Sequence, residues 1–169
     1  LRPGLTAAGL GSALPLLSHA LLSTWTRSNK RTLTVADYVA TGRIRGAVDQ
    51  TAERVYGELD YAEKMVARRQ LLAMTMVDDD TTSRRRAPLA ELGVPLPDKP
   101  DAKRDVRERR AAGVLDRFAA ARLVSVSETH AEIAHEALLS AWPRLTRWID
   151  EDRDQLLIAR RLQAAVELW

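Results

Sequence analysis

Apolar positions recur every three or four residues over most of this chain, and that spacing predicts helices. Leu17, Leu21 and Trp25 form one stripe, widened by Leu14 and Leu22, which predicts a helix from Leu14 to about Thr26 with Pro15 in its first turn. The polar stretch Ser28 to Arg31 is a loop. Thr34 then caps a short helix, with Asp37 as a weaker capping-box partner, and that helix ends near Gly42. Val48, Thr51, Ala52, Val55 and Leu59 share a face of the next helix, Ile44 to Leu59. Asp60 caps a further one, in which Met65, Ala67, Leu71, Leu72 and Met74 are the expected buried set. Helices joined this closely pack as antiparallel neighbours.

The pattern changes at Val77. VDDDTTSRRR reads as a solvated loop with opposing charge blocks, followed by an extended piece around Arg85 to Leu89. LGVPLPDKPD, Leu92 to Asp101, holds three prolines and a glycine and is a loop. Asp101 or Asp105 opens a strong helix to about Ala121, with Val106, Val114, Leu115 and Phe118 inward and the arginines outward. Leu123 to Ser127 alternates as a strand, Glu128-Thr129-His130 is a turn, and Ala131 to Ala134 returns as its partner. Helices, a short strand, a helix and a β-hairpin, in that order, predict a mainly α fold: a helical subdomain followed by a winged helix-turn-helix with a small β-hairpin wing.

The hairpin gives way to helical spacing at His135. Leu138, Trp142, Leu145 and Ile149 continue as an amphipathic stripe with Leu139 and Trp148 beside it. Pro143 suits a first turn and not an interior, so one short helix should end near Trp142 and a second open at Pro143. Asp154 to Trp169 then forms a last amphipathic helix. A histidine between a strand and a helix sits near unpaired amides and the positive end of a helix dipole, a place suited to an anion such as phosphate. The same position also suits a histidine that simply packs or caps.

Composition narrows the function classes. In 169 residues the chain carries no cysteine, which removes disulfides and thiolate metal sites and fits a cytoplasmic protein. No apolar run approaches the ~20 residues needed to cross a bilayer, and Pro3, Gly4, Gly9, Gly11 and Pro15 interrupt the most apolar region. Position 1 is not Met, so we expect a piece of something longer. The net charge of +3 is the small difference of many charges, and one Phe with three Tyr makes a base-stacking platform a poor expectation.

Catalysis is hard to build from these residues. The sequence has no GxxxxGK[ST], GxGxxG, HExxH or GxSxG, and nothing beside Glu136 and His135 supplies a nucleophile. His19, His130 and His135 are not spaced as metal ligands, and Asp78-Asp79-Asp80 are adjacent carboxylates that repel and stay solvated. The chain alone is therefore not expected to be an enzyme. The rival signal is basic. Lys103, Arg104, Arg107, Arg109, Arg110, Arg117 and Arg122 surround the helix before the wing, where a winged helix places its DNA-reading element. Asp101, Asp105, Glu108 and Asp116 dilute that charge. A transcriptional-regulator module reading DNA through Arg104, Arg107 and Arg110 is the alternative.

LPLLSHALLSTW (Leu14 to Trp25), IRGAVDQTAERVYGEL (Ile44 to Leu59), LDRFAAARLVSV (Leu115 to Val126) and IAHEALLSAWPRLTRWIDEDR (Ile133 to Arg153) carry a resemblance. Together they resemble the C-terminal half of the bacterial "novel STAND" NTPase module, related to the NB-ARC and NACHT switch ATPases. The resemblance covers nearly the whole chain after residue 12. It implies three parts: the end of a helical domain over 1–42, a winged-helix domain over 43–150, and the start of a helical connector over 151–169. Ala13-Leu14-Pro15 stands where the family has GxP, which implies that Pro15 packs on adenine. His135 stands where related switches carry the winged-helix histidine that contacts the β-phosphate of ADP. Ile133-Ala134-His135-Glu136 replaces their methionine-histidine-aspartate, so the histidine matches while its neighbours differ. The resemblance further implies a regulatory, nucleotide-sensing role that couples ADP/ATP state to interdomain rearrangement in a signal-transduction ATPase. ADP or ATP would bind only the full-length protein, beside an upstream P-loop domain and often before a WD-repeat β-propeller.

Overall fold

The computed structural model describes residues 43–78, 81–94 and 105–167, together with positions 21, 22, 24, 25, 32, 34 and 35. Helix α1 (Arg43–Gly57) buries Ala47, Val48, Ala52 and Val55, and Leu59 closes the turn behind it. Thr51, expected on that face, is half-buried and its hydroxyl donates to the Ala47 carbonyl at 2.8 Å. In α2 (Tyr61–Ala73) the Asp60 side chain accepts from the Glu63 amide while the Glu63 carboxylate takes the Asp60 amide, a reciprocal capping box. Ala67, Gln70, Leu71 and Leu72 are its buried residues. Met65 is not among them. It is 54 % exposed, because it lies on the flank opposite the Ala67–Gln70–Leu71 stripe.

Val77, Asp78 and Thr81 to Arg86 are more ordered than their charge suggests. β1 (Thr75–Val77) pairs antiparallel with β2 (Thr82–Arg84), matching Thr75 with Arg84 and Val77 with Thr82. Burial of Val77 and Thr75 against the core holds a hairpin together where the charge pattern predicts a solvated loop. β3 (Ala87–Pro88) is the extended piece expected near Arg85 to Leu89. Of the two aspartates that could cap the next helix, Asp105 caps α3 (Val106–Ala120), again through a capping box with Glu108. Asp101 lies outside the described residues. Ala111, Val114, Leu115 and Phe118 face inward, whereas Val106, at the helix's first position, is 60 % exposed rather than buried. Arg122 ends the helix in the left-handed region, φ 59, with Arg122 N–H bonded to the Ala119 carbonyl and Leu123 N–H to that of Phe118.

β4 (Val124–Val126) and β5 (His130–Ile133) form the expected hairpin, with His130 already in the strand rather than the turn. β3 adds to the other side of β5, giving the order β3-β5-β4 with all pairs antiparallel. Two helices follow, α4 (Ala137–Ala141) and α5 (Pro143–Glu151), and the break falls at Trp142-Pro143 as the proline requires. The last helix is α6 (Arg153–Glu167). Over the described residues the architecture is mainly helical with two small antiparallel sheets. Trp142, Phe118, Leu71 and Met74 are the largest fully buried side chains, and they lie where α1, α2, α3 and the α4–α5 elbow meet. Among the described residues no helix is long and apolar enough to cross a membrane.

Candidate functional site

The hairpin delivers the chain to His135 in a defined way. Register pairs Val124 with Ile133, and the Ala134 amide donates to the Leu123 carbonyl at 3.0 Å, so sheet bonding continues to the residue before the histidine. His135 is half-buried, neither sealed in the core nor fully solvated. Its carbonyl accepts from the Leu138 amide at 2.9 Å, and the Leu139 amide donates to the Glu136 carbonyl at 3.0 Å. Glu136 stands at the N-cap of α4 in helical conformation and makes no capping bond with its side chain. The helix it opens has five residues. A dipole that short carries little charge, and two of its first amides are already engaged, so the helix-mouth field expected from the sequence is weak.

Arg84 braces the junction from β2. Its Nη1 donates to the carbonyls of Ile133 (3.4 Å) and Ala134 (3.1 Å), the second belonging to the peptide that enters His135. The far end of α4 is held by a second device. The Trp142 indole, fully buried, donates through Nε1 to Glu53 Oε1 at 2.7 Å. Arg144 grips the same carboxylate with Nε at 2.9 Å and Nη2 at 3.0 Å, and lies 4.5 Å over the Tyr56 ring. Tyr56, Trp142 and Trp148 pack edge-on or tilted with centroids 5.4–6.0 Å apart. The Arg144 hydrogen bond, assisted by the indole N–H, holds the Glu53 carboxyl below the usual range against the opposing effect of burial. Burial and the nearby Glu53 charge push Asp49 the other way.

The other residues that the sequence singles out do not converge on one place. Pro15 and Arg104 lie outside the described residues. Arg107 is exposed at the start of α3 and Arg110 half-buried a turn later. Arg117 is tied to Glu63 at 3.3 Å, and the outer face of α3 mixes Arg109 with Gly113, Asp116 and Ala120. Asp78 bonds Arg160 through its carboxylate and Arg153 through its carbonyl. His130 Nδ1 lies 2.7 Å from the Thr129 hydroxyl at the wing tip. Among the described residues no three His, Asp or Glu side chains gather as a metal site would need.

Sequence reasoning missed Glu53, Arg144 and Arg84. Glu53 lies off the Val48–Ala52–Val55 stripe and beside Arg54, so it reads as an ordinary surface charge and no local signal marks it.

Comparison with curated proteins and with solved structures gave no match. The family model described as Novel STAND NTPase 1 matches residues 6–169, nearly the whole length and all of the elements described above. This chain belongs to the novel STAND NTPase 1 family.

Proposed function

We propose that this chain is the C-terminal, nucleotide-sensing half of a STAND signal-transduction ATPase of the NB-ARC and NACHT kind. Residues 1–42 end its helical domain, 43–150 form a winged helix, and 151–169 begin a connector. The winged-helix reading is supported by the order α2, β3, α3, β4, β5 and by β3 adding to β5 on the side away from β4. The observation that carries the switch reading is the half-buried His135, fixed at the end of the wing by sheet bonds on one side and α4 on the other. A single side chain held this way suits one charge-assisted contact and not a complete site.

In this reading His135 takes the β-phosphate of ADP, Pro15 packs on adenine, and an upstream P-loop domain of the same polypeptide supplies the phosphate loop. The nucleotide brings the charge that distinguishes the closed state, and this chain binds and reports it without hydrolysing it. A downstream β-propeller and a cytoplasmic setting complete the proposal. A charge-assisted hydrogen bond contributes about 1.5–3 kcal/mol, which biases a two-state equilibrium by about ten- to a hundredfold. In the full-length protein, His135→Ala is therefore expected to speed ADP release by about ten- to a hundredfold and raise basal signalling. ADP retention equal to the parent's removes His135 from the nucleotide site.

A further inference from the structure

The helices of this fold are held by two different physical means. α3 is held by packing: Ala111, Val114, Leu115 and Phe118 are each at most 2 % exposed. α6 is different. Its Leu156 and Leu157 are only half-buried, while Ile158 and Leu162 are 58 % and 64 % exposed. Beneath it runs a groove of about 470 Å³ lined by Met65, Leu72, Leu156 and Ala159, and a second space of about 240 Å³ adjoins it beside Thr75 and Met76. Leu156 and Leu157 still pack on the core, but an open groove flanks them, so apolar burial seats this helix less firmly than α3.

Charge supplies the rest of its attachment. At the α5–α6 joint Arg68 Nη2 reaches Glu151 at 2.9 Å and Asp152 at 3.1 Å, with its guanidinium 6.0 Å from the Trp148 ring centre. At the other attachment Arg160 pairs with Asp78, which follows β1, and Arg153 donates to the Asp78 carbonyl at 3.2 Å. The five charged partners Arg68, Glu151, Asp152, Arg160 and Asp78 are 29–48 % exposed at their side chains, so salt screens them.

We propose that α6 is an ionically latched strap, seated by Arg68 on Glu151 and Asp152 and by Arg160 on Asp78, and released as a unit when those charges are screened. Release uncovers Leu72, Leu156 and Leu157 while the body of the fold stays intact. The balance between seated and released states is set by charge at Asp78 and Arg68, independently of any nucleotide contact at His135.

Hydrogen–deuterium exchange of the full chain tests this at about 0.05 M and about 1 M NaCl, where the Debye length falls from more than about 10 Å to about 3 Å. The expected result is exchange about three- to tenfold faster in α6 at high salt, with α3 changed by less than about twofold. At low salt Asp78→Asn is expected to give most of that acceleration, and adding Arg160→Gln to it to give no more. Indifference of α6 to salt overturns the proposal. So does parallel acceleration in α3, or additive effects of the two substitutions. The salt series on the unaltered chain keeps the test open should a substitution unfold it.

Discussion

The Glu53 clasp yields a prediction that separates two contributions, the indole bond and the ion pair. Glu53→Ala removes the acceptor of a fully buried indole and both bonds to Arg144 at once. The Glu53 and Arg144 side chains are 40 % and 39 % exposed, so their ion pair contributes only about 0.2–1 kcal/mol. Trp142 has 0 % exposure, and a buried donor left without its acceptor costs about 1–3 kcal/mol. Glu53→Ala should therefore destabilise the chain by about 1–4 kcal/mol, lowering Tm by roughly 2–16 °C at this length. Glu53→Gln keeps an amide oxygen for the indole and should cost about 0.5–1 kcal/mol. The gap between the two variants, read by urea unfolding, isolates the indole bond. Its pH dependence has a fixed sign. Because the folded carboxyl lies below the unfolded value, its stabilisation is full above the ordinary carboxylate range and is lost as pH falls through the folded value. The advantage of the parent over Glu53→Gln should accordingly vanish in acid. Equal stabilities for Glu53→Ala and Glu53→Gln at neutral pH refute the account, since they would mean the indole N–H loses nothing with its partner.

Two further variants follow from single contacts. Gln70, 1 % exposed, donates to the Leu92 and Ala111 carbonyls at 3.0 and 2.9 Å, so Gln70→Leu should cost about 1–3 kcal/mol by denaturant titration, despite a more apolar core. Gly93 has φ +73, and a Cβ there would meet Arg69 at 2.8 Å, so Gly93→Ala should lower stability by about 1–2 kcal/mol, seen as a shift in urea midpoint with unchanged slope.

Much of the helical framework was legible because its signals are local. Asp60 with Glu63 and Asp105 with Glu108 announce their helices three residues apart, and Pro143 dictates the elbow. The β4–β5 hairpin was legible from alternation over Leu123 to Ile133. What stayed hidden depends on partners distant in sequence. β1 and β2 contain mostly polar residues and have no alternation to read, and their pairing is stabilised by burying Val77 and Thr75 under neighbours. Met65 and Val106 are apolar but lie off the buried stripes of their helices, so both stay largely exposed. Glu53 and Arg144 lie 91 residues apart, so neither announces the other. The place of His135 and the shortness of α4 were both legible, since Pro143 ends that helix at Trp142, whereas the engagement of the Leu138 and Leu139 amides was not.

Trp142 ends one helix and starts the next while its ring fills the centre of the molecule. A pivot lodged in the interior cannot flex without opening the interior. The α4–α5 elbow should therefore act as a bent crank of fixed angle, so that a push on α5 arrives at the β5–α4 turn as a displacement and is not absorbed at the bend. Sensitivity at His135 would then extend to residues that never approach it, with those of α1 that hold the crank foremost among them.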